Sequence, residues 1–282
     1  SSGSLGGKAR GLGFAKSMIN YSNIKNKFSN FKICVPKSAV IGTNEFDRFM
    51  KDNELWDIAL SNISDIKLLD YFLKSRISID LTLKLESFIN ENNFPIAVRS
   101  SSLLEDSQYQ PLAGTYETIM LSNNSKSNKD RLNKLIEAIK IIYASTFNGE
   151  ARTLLKNTAH RIEEEKMAIL IQEVVGIKYK SNRFYPTFSG VLQSINYYPV
   201  SYMKRNEGVA YLALGFGRTI ADGEKCLRIS PKYPKILPQF FSLKATIQNS
   251  QNEFYAMNFN QQNNHQLNKY TLEDAETDGT LK

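Results

Sequence analysis

The segment "FPIAVRSSSLLEDSQYQPLAGTYET", residues 94–118, combines residue types that could bind phosphate. Arg99 ends an apolar run, and the serines at positions 100–102 follow it directly. A guanidinium presents a fork of donors that matches phosphate oxygens, and the serine hydroxyls add short donors. Gly114 permits a close approach of the backbone to a ligand. The segment therefore predicts a phosphate-binding site at the end of a strand.

A purely structural interpretation of this segment stays open. Glu105 and Asp106 follow Arg99 within seven residues. They could orient Arg99 for a ligand, or they could pair with it while the serines form a turn. The segment by itself does not separate these two interpretations.

A second candidate lies in "GSLGGKARGLG", where Lys8 follows Gly6 and Gly7 and precedes a helical pattern. Free N–H groups and the positive end of the helix dipole make such a position suitable for an anion. The stretch is not a Walker A loop, because the spacing GxxxxGK followed by Ser or Thr is absent. A plain glycine-rich turn remains the alternative.

Composition limits the classes of function. The chain has 282 residues, of which 41% are hydrophobic and 23% are charged, so it can bury a substantial core. The net charge is +8, but the lysines are scattered among acids and asparagines without a basic run. Nucleic-acid binding is therefore disfavoured. That function would predict binding that falls steeply with salt.

The cysteines and the apolar runs indicate a cellular compartment. Cys34 and Cys226 stand far apart in apolar contexts, which predicts reduced core residues. Since His160 and His265 are the only histidines, a zinc site of Cys and His ligands is disfavoured. No apolar run reaches the length of a membrane helix, and the N-terminal stretch lacks a signal-peptide core. We expect a cytoplasmic protein without a membrane partner.

Hydrophobic periodicity predicts a mixed α/β chain. Leu12, Ala15, Met18 and Ile19 share one face of a first helix. "FKICVPKSAVIGTNEFDRFM" predicts a short buried strand, a proline-marked connection, a second strand, and a helix capped by Thr43 or Asn44. Residues 54–92 look helical, with breaks at residues 62–64 and near residue 78.

The rest of the chain alternates strands with one clear helix. Strands are predicted in "FPIAVRSSS", "TYETIMLSN", "KMAILIQEVV", "FSGVLQSINYYP" and "GVAYLALGFG", and the clearest helix in "NKDRLNKLIEAIKIIYASTF". From about residue 245 the chain is rich in Gln and Asn, and it ends in the acidic "TLEDAETDGTLK". This composition predicts a loosely held surface segment.

In combination, these segments resemble the ATP-binding N-terminal domain of pyruvate phosphate dikinase and phosphoenolpyruvate synthase. The resemblance rests on "GGKARGLG", "VPKSAVIGTNEFDRFM", "AVRSSSLLEDSQYQPLAGTYET", "AILIQEVV", "FSGV" and "LALGFGRTIADG", which occur in the family's order over residues 3–225. It implies an α+β, ATP-grasp-like nucleotide-binding domain of two lobes. We expect residues 1–175 to form the first lobe and residues 176–282 the second, the latter incomplete at its C-terminal end.

The resemblance also implies roles for individual residues. Lys8 and Arg99 would contact ATP phosphates, and Arg99 would act catalytically by stabilising charge during transfer. Gly114 and Thr118 would line the phosphate side. Gln172 would meet the adenine, whose edge the backbone from Glu173 to Val175 would read.

Two departures from the family pattern bear on function. Arg218 stands where most relatives have a glutamate in the later glycine motif. The family's magnesium ligands, an Asp-x-Glu pair and a Gln-x-Arg strand, are not found, so the Mg²⁺ ligands are expected beyond Lys282. "LEDAETDG" is interpreted as a solvated polar segment instead.

The leading hypothesis is a phosphotransferase domain. It would pass a phosphoryl or pyrophosphoryl group from ATP to a phosphohistidine carrier domain, or to another acceptor domain, absent from this chain. The alternative is a regulatory module that senses ATP without catalysis.

Overall fold

A computed structural model describes residues 3–102, 116–156, 165–200, 202–260 and 267–281. The chain forms two compact units, Ser1–Val174 and Val175–Lys282. Each combines helices with antiparallel sheets, which confirms the predicted mixture of α and β structure. Within the described ranges, each helix is too short or too polar to cross a bilayer.

The first unit builds a four-stranded antiparallel sheet among helices, in the strand order β1-β4-β2-β3. Its strands are β1 Ser38–Ile41, β2 Ile96–Ser102, β3 Thr118–Leu121 and β4 Met167–Glu173. Its helices are α1 Gly6–Tyr21, α2 Ile24–Lys27, α3 Thr43–Asp52, α4 Trp56–Leu60, α5 Asp65–Lys74, α6 Ile79–Glu91, α7 Asn128–Ser145 and α8 Gly149–Lys156. The helical stretch at 54–92, its breaks and the long helix α7 are thus confirmed.

One face of this sheet packs on the hydrophobic core. Helix α7 begins where the Ser127 hydroxyl accepts a hydrogen bond from the Asp130 N–H, and it buries Leu135, Ile139 and Ile142 at helical spacing. On the sheet side the core takes alternate residues of the paired strands: Ile96, Val98, Ile119, Leu121, Ile169 and Ile171. Because side chains alternate across a strand, the residues between them project from the opposite face.

The glycine-rich opening is anchored where β2 ends. Gly6 has φ +71°, and a Cβ at this position would lie 1.6 Å from the Ser101 carbonyl oxygen. The Ser101 hydroxyl donates to the Leu5 carbonyl at 2.9 Å and accepts from the Ala9 N–H at 3.1 Å. Only glycine fits this contact, so the start of α1 rests directly on the sheet.

The second unit contains two further antiparallel sheets, of orders β11-β10-β6-β5 and β7-β8-β9. Its strands are β5 Ile177–Lys178, β6 Arg183–Tyr185, β7 Phe188–Gln193, β8 Val209–Leu214, β9 Leu227–Ile229, β10 Glu253–Asn258 and β11 Asn268–Thr271. Its helices are α9 Arg218–Ala221, α10 Leu243–Asn249 and α11 Leu272–Asp278, and short 3₁₀ turns lie at Arg205–Glu207 and Pro238–Phe240.

The prediction of a loosely held C-terminal segment is wrong. Strand β10 is an inner strand of its sheet and buries Phe254, Tyr255, Ala256 and Met257. Composition predicted a surface segment because the many Asn and Gln residues hide one short apolar run, "FYAM".

"LEDAETDG" is likewise not a solvated segment. It forms α11, and the carboxylate of Asp278, 1% exposed, accepts hydrogen bonds from Arg183 Nε at 2.7 Å and Ser181 Oγ at 2.5 Å. Tyr185 donates a third hydrogen bond at 3.0 Å, and Asp274 pairs with Arg183 Nη1 at 2.8 Å. The acids serve an internal ion-pair network, which composition alone could not reveal.

Three local predictions near the N-terminus are also wrong. Residues 32–37 form no strand, and Cys34 is exposed rather than buried. Helix α3 has Gly42 as its N-cap, because the Thr43 hydroxyl accepts from the Ser4 N–H at 3.0 Å instead. The predicted first helix is confirmed as α1, although Met18 on it is 52% exposed.

Replacing Gly6 by alanine tests the anchoring contact. The added methyl group would meet backbone in a left-handed conformation, so we expect the first unit to lose at least about 2 kcal/mol of unfolding free energy. Gly11→Ala is the matched control, since a Cβ at position 11 meets nothing within 4 Å. Alanine is also more favourable than glycine inside a helix by about 0.5–1 kcal/mol, so this variant should not be destabilised. Urea unfolding followed by the fluorescence of Trp56, the single tryptophan, reports this unit. Equal stability of the two variants would contradict the contact.

Replacing Asp278 by asparagine tests the second-unit network. Burial raises the pKa of Asp278, but the hydrogen bonds from Arg183, Ser181 and Tyr185 outweigh it and leave that pKa below the ordinary 3.8. The folded carboxylate thus stabilises the unit above pH 4, and this contribution disappears as the pH falls through the lowered pKa. Asp278→Asn should cost about 1.5–3 kcal/mol at pH 7 and less at pH 3, which lies below the ordinary pKa of 3.8.

Hydrogen exchange of β6 and α11 at both pH values measures this difference. Asp222→Asn is the control, because Asp222 makes an exposed pair with Arg218 that is worth less than about 1 kcal/mol. A loss for Asp278→Asn that is independent of pH would contradict the assignment.

Candidate functional site

Three of the predicted site residues share the face of the first sheet that points away from the core. Arg99 in β2 lies opposite Thr118 in β3 and Leu170 in β4. Gln172 stands two residues after Leu170 on the same strand. Directly paired residues, and residues two apart, lie on the same side of an antiparallel sheet. The register therefore brings Arg99, Thr118 and Gln172 together.

Arg99 contacts Gln172 directly. Its Nη1 donates a hydrogen bond to Gln172 Oε1 at 3.2 Å, and both side chains are half-buried. Within the part of the chain that the structure describes, Arg99 forms no ion pair. Glu105 and Asp106, the acids considered as its partners, lie outside the described residues. The guanidinium is thus held by a neutral amide that exerts no full countercharge.

Lys8 approaches the same strand from helix α1. Its Nζ donates to Ser100 Oγ at 3.2 Å, beside Arg99 in the sequence, and its side chain is half-buried. The first turn of α1 is fixed through Ser101, which lies on the same face as Arg99 because the two are two residues apart. The glycine contact at Gly6 therefore brings Lys8 to β2, where it bonds the residue that follows Arg99.

The serines after Arg99 are used within the protein. Ser101 holds the start of α1, while Ser102 donates to the carboxylate of Glu165. Glu165 is 2% exposed and also accepts from the Tyr116 hydroxyl at 3.1 Å. Glu165 went unnoticed in the sequence because it is one of three consecutive glutamates. Its position directly before a buried strand was the available signal.

Backbone donors at the end of β4 are partly used within the protein. The N–H groups of Glu173 and Val174 donate to the carbonyls of Lys37 and Pro95, each at 2.8 Å. The Glu173 carboxylate accepts from the Lys37 N–H at 3.1 Å. Val175 is 60% exposed, and its N–H has no acceptor among the described residues. Thr118 is exposed as well, whereas Gly114 lies outside the described residues.

The later glycine motif lies in the second unit. Gly215 has φ +75°, and a Cβ there would lie 2.7 Å from the Tyr255 carbonyl oxygen. Arg218, the residue that departs from the family pattern, pairs with Asp222 at 3.0 Å and lies over the Tyr255 ring at 5.1 Å. Arg218 is thus engaged by neighbours within its own unit.

Glu224 directly follows the same motif. Hydrogen bonds from Lys269, at 2.7 Å, and from Tyr255 hold the pKa of the Glu224 carboxyl below its usual value. Across the described ranges, no group of three His, Cys, Asp or Glu side chains could hold a metal ion. His160 and His265 lie outside those ranges.

Comparison with known proteins identifies the domain. Residues 2–279 match the family model described as the AMP/ATP-binding domain of pyruvate phosphate dikinase. The chain is also 28% identical over 197 residues to the uncharacterized phosphotransferase YvkC of Bacillus subtilis (strain 168). That alignment covers 70% of this chain and 21% of the relative, so the chain spans about a fifth of that protein's length. The chain therefore belongs to the family of the pyruvate phosphate dikinase AMP/ATP-binding domain, which has an ATP-grasp-like nucleotide-binding fold.

Proposed function

We propose that this chain is the ATP-binding part of a phosphotransferase that transfers a phosphoryl or pyrophosphoryl group from ATP to a histidine on another domain. The observation that carries the proposal is the shared sheet face of Arg99, Thr118 and Gln172, and Lys8 bonds Ser100, the next residue of the same strand. The family match and the phosphotransferase relative support it.

Different residues contact the phosphates and the adenine of the nucleotide. Arg99 and Lys8 bind the phosphates, with Thr118 and Gly114 on that side, while Gln172 meets the adenine. Since the N–H groups of Glu173 and Val174 are already bonded, the adenine edge is read by their carbonyls and by the Val175 N–H.

ATP would compete with Gln172 for the Arg99 guanidinium. ATP offers Arg99 charged phosphate oxygens, and a hydrogen bond to a charged group is stronger than one to an amide oxygen. Binding therefore moves the guanidinium from Gln172 to the phosphates and releases the amide for the base.

The residues act by positioning and charge stabilisation. A nitrogen of the accepting imidazole forms a bond to phosphorus while the bond from that phosphorus to its bridging oxygen breaks, and ADP or AMP leaves with the electron pair. Arg99 and Lys8 hold the phosphates in line and donate hydrogen bonds to the charge that develops. Phosphoryl transfer of this class uses Mg²⁺, but the described residues contain no ligand cluster that fits it, so no step is assigned to it.

The second candidate is a module that senses ATP without catalysis. Arg218 favours it, because a cation held by Asp222 and Tyr255 replaces the family's glutamate. Either function suits the cytoplasm, where thiols such as Cys34 and Cys226 stay reduced.

Replacing Arg99 tests the phosphate contact. Arg99→Ala should weaken ATP binding by about 10- to 100-fold, the equivalent of the roughly 1.5–3 kcal/mol of a charged hydrogen bond. Arg99→Lys should recover only part of the loss because the planar fork is absent. Arg48→Ala, which removes an exposed arginine paired with Asp52, is the matched control. Calorimetric titration of ATP measures the affinities. An unchanged affinity in Arg99→Ala would refute the contact between Arg99 and the ATP phosphates.

Replacing Gln172 tests the exchange of partners. Gln172→Glu gives Arg99 an ionic partner and places a negative charge near the phosphates, so it should weaken ATP binding more than Gln172→Ala does. The same titration, on variants with an unchanged Trp56 emission, compares the two. If Gln172→Ala loses more affinity than Gln172→Glu, Arg99 does not move away from residue 172.

An assay of phosphate transfer separates the two candidate functions. The isolated chain should bind ATP and hydrolyse it poorly, whereas the longer polypeptide should acquire label on histidine from γ- or β-labelled ATP. Acid-labile labelling supports the phosphotransferase. ATP binding by the longer polypeptide without labelling supports the sensor, and robust transfer by the isolated chain contradicts the need for another domain.

A further inference from the structure

The net charge of the protein is concentrated at the start of the chain. Residues 6–37, here called the basic segment, contain seven basic residues: Lys8, Arg10, Lys16, Lys25, Lys27, Lys32 and Lys37. The first acidic residue of the chain is Glu45, so the basic segment has no countercharge of its own. It supplies +7 of the net charge of +8, and acids balance the basic residues in the rest of the chain. A concentration of one sign of charge attracts a partner of the opposite sign.

Most of these cations are available to such a partner. Arg10, Lys16, Lys27 and Lys32 are exposed. Across the described ranges of the chain, none of these four forms an ion pair. The basic segment therefore presents cations whose charge the surrounding protein does not neutralise.

Helix α1 also presents an apolar side to solvent. One side of the helix rests on the sheet, where Ala9 is buried and donates its N–H to the Ser101 hydroxyl. On another side, Phe14, Met18 and Tyr21 recur at helical spacing and are 69%, 52% and 91% exposed. Exposed apolar residues that lie together in this way mark an interaction surface.

The exposed apolar residues continue beyond α1, where they adjoin lysines. Phe28 and Phe31 are exposed. Lys27 directly precedes Phe28, and Lys32 directly follows Phe31. Aromatic side chains beside lysines are typical of segments that lie on a bilayer surface, where the rings enter the interface and the ammonium groups meet anionic lipids.

The composition of the basic segment favours a lipid surface over other polyanions. Six of its seven basic residues are lysines, whereas protein interfaces are depleted in lysine and enriched in arginine. A nucleic acid offers base faces to aromatic rings, but it offers no apolar interior to an aliphatic side chain such as Met18. An anionic bilayer supplies negative charge and an apolar interior together.

We propose that the basic segment binds peripherally to a bilayer that contains anionic phospholipids. Phe14, Met18 and Tyr21 enter the interface, and the lysines stay at the level of the headgroups. The expectation of no membrane partner rested on the length of apolar runs, which bears on membrane-spanning helices alone. The contact does not use Arg99 or Gln172, so the inference does not rest on the proposed function.

Sedimentation with large unilamellar vesicles tests the proposal. The vesicles contain phosphatidylcholine, either alone or with about 30% phosphatidylglycerol as the anionic lipid. We expect at least about tenfold stronger binding to the anionic vesicles, and this binding should weaken as salt screens the lysines. Equal binding to both kinds of vesicle, or no binding to either, would overturn the proposal. Tighter binding of a single-stranded oligonucleotide than of the anionic vesicles would overturn it as well, in favour of a nucleic-acid site.

Substitutions then assign the contact to the basic segment. Phe14→Ser and Tyr21→Ser should each weaken binding to the anionic vesicles about tenfold, because each removes an aromatic ring from the interface. Lys16→Gln should weaken it about fivefold through the loss of one charge. Ile66→Ser and Lys67→Gln are the matched controls, since they remove an exposed apolar residue and an exposed lysine from α5. All five positions are exposed, and urea unfolding checks that each variant is folded. Unchanged vesicle affinity in the first three variants, or an equal loss in the controls, would contradict the assignment.

Discussion

The first unit depends on the contact between Gly6 and the end of β2. A backbone that passes this close to the Ser101 carbonyl excludes any side chain, and the Ser101 hydroxyl then holds both the approach to α1 and its first turn. Helix α1 is otherwise weakly attached, as the exposure of Phe14 and Met18 indicates. The position of Lys8 is therefore set by one turn of helix and one serine rather than by packing along the whole helix.

The sequence predicted elements best where a single periodicity ran without interruption. Helix α7 carries apolar residues at helical spacing behind a serine cap, and β4 begins with the apolar run "MAILI", so local patterns were sufficient. Strand β2 begins with the apolar residues 96–98 but continues past Arg99 to Ser102, beyond its apolar run. The prediction for the segment of β10 was wrong because its burial comes from neighbouring strands. The surrounding Asn- and Gln-rich composition also hides a four-residue apolar run. The prediction that Cys34 is buried was wrong for the opposite reason. Apolar neighbours in the sequence do not ensure that another element packs against the residue.

The candidate site was predictable as a set of residues but not as an arrangement. Motif order singled out Arg99, Thr118 and Gln172, yet their common face follows from strand register, which pairs Arg99 with Thr118, 19 positions later, and with Leu170, 71 positions later. The same limitation hid Glu165 and the Arg183–Asp278 network, where partners are separated by 63 and 95 residues. Residue type indicates which chemistry is available, while register and burial decide which groups meet.

Strand register also constrains how this segment can vary in length. Within β2, Val98 packs into the core while Arg99 projects from the opposite face, so the two roles alternate at every position. Inserting or deleting one residue before Arg99 would exchange the faces, burying the guanidinium among core side chains and exposing the apolar set. A single-residue change of length in this strand would therefore disturb both the core and the face that carries Arg99.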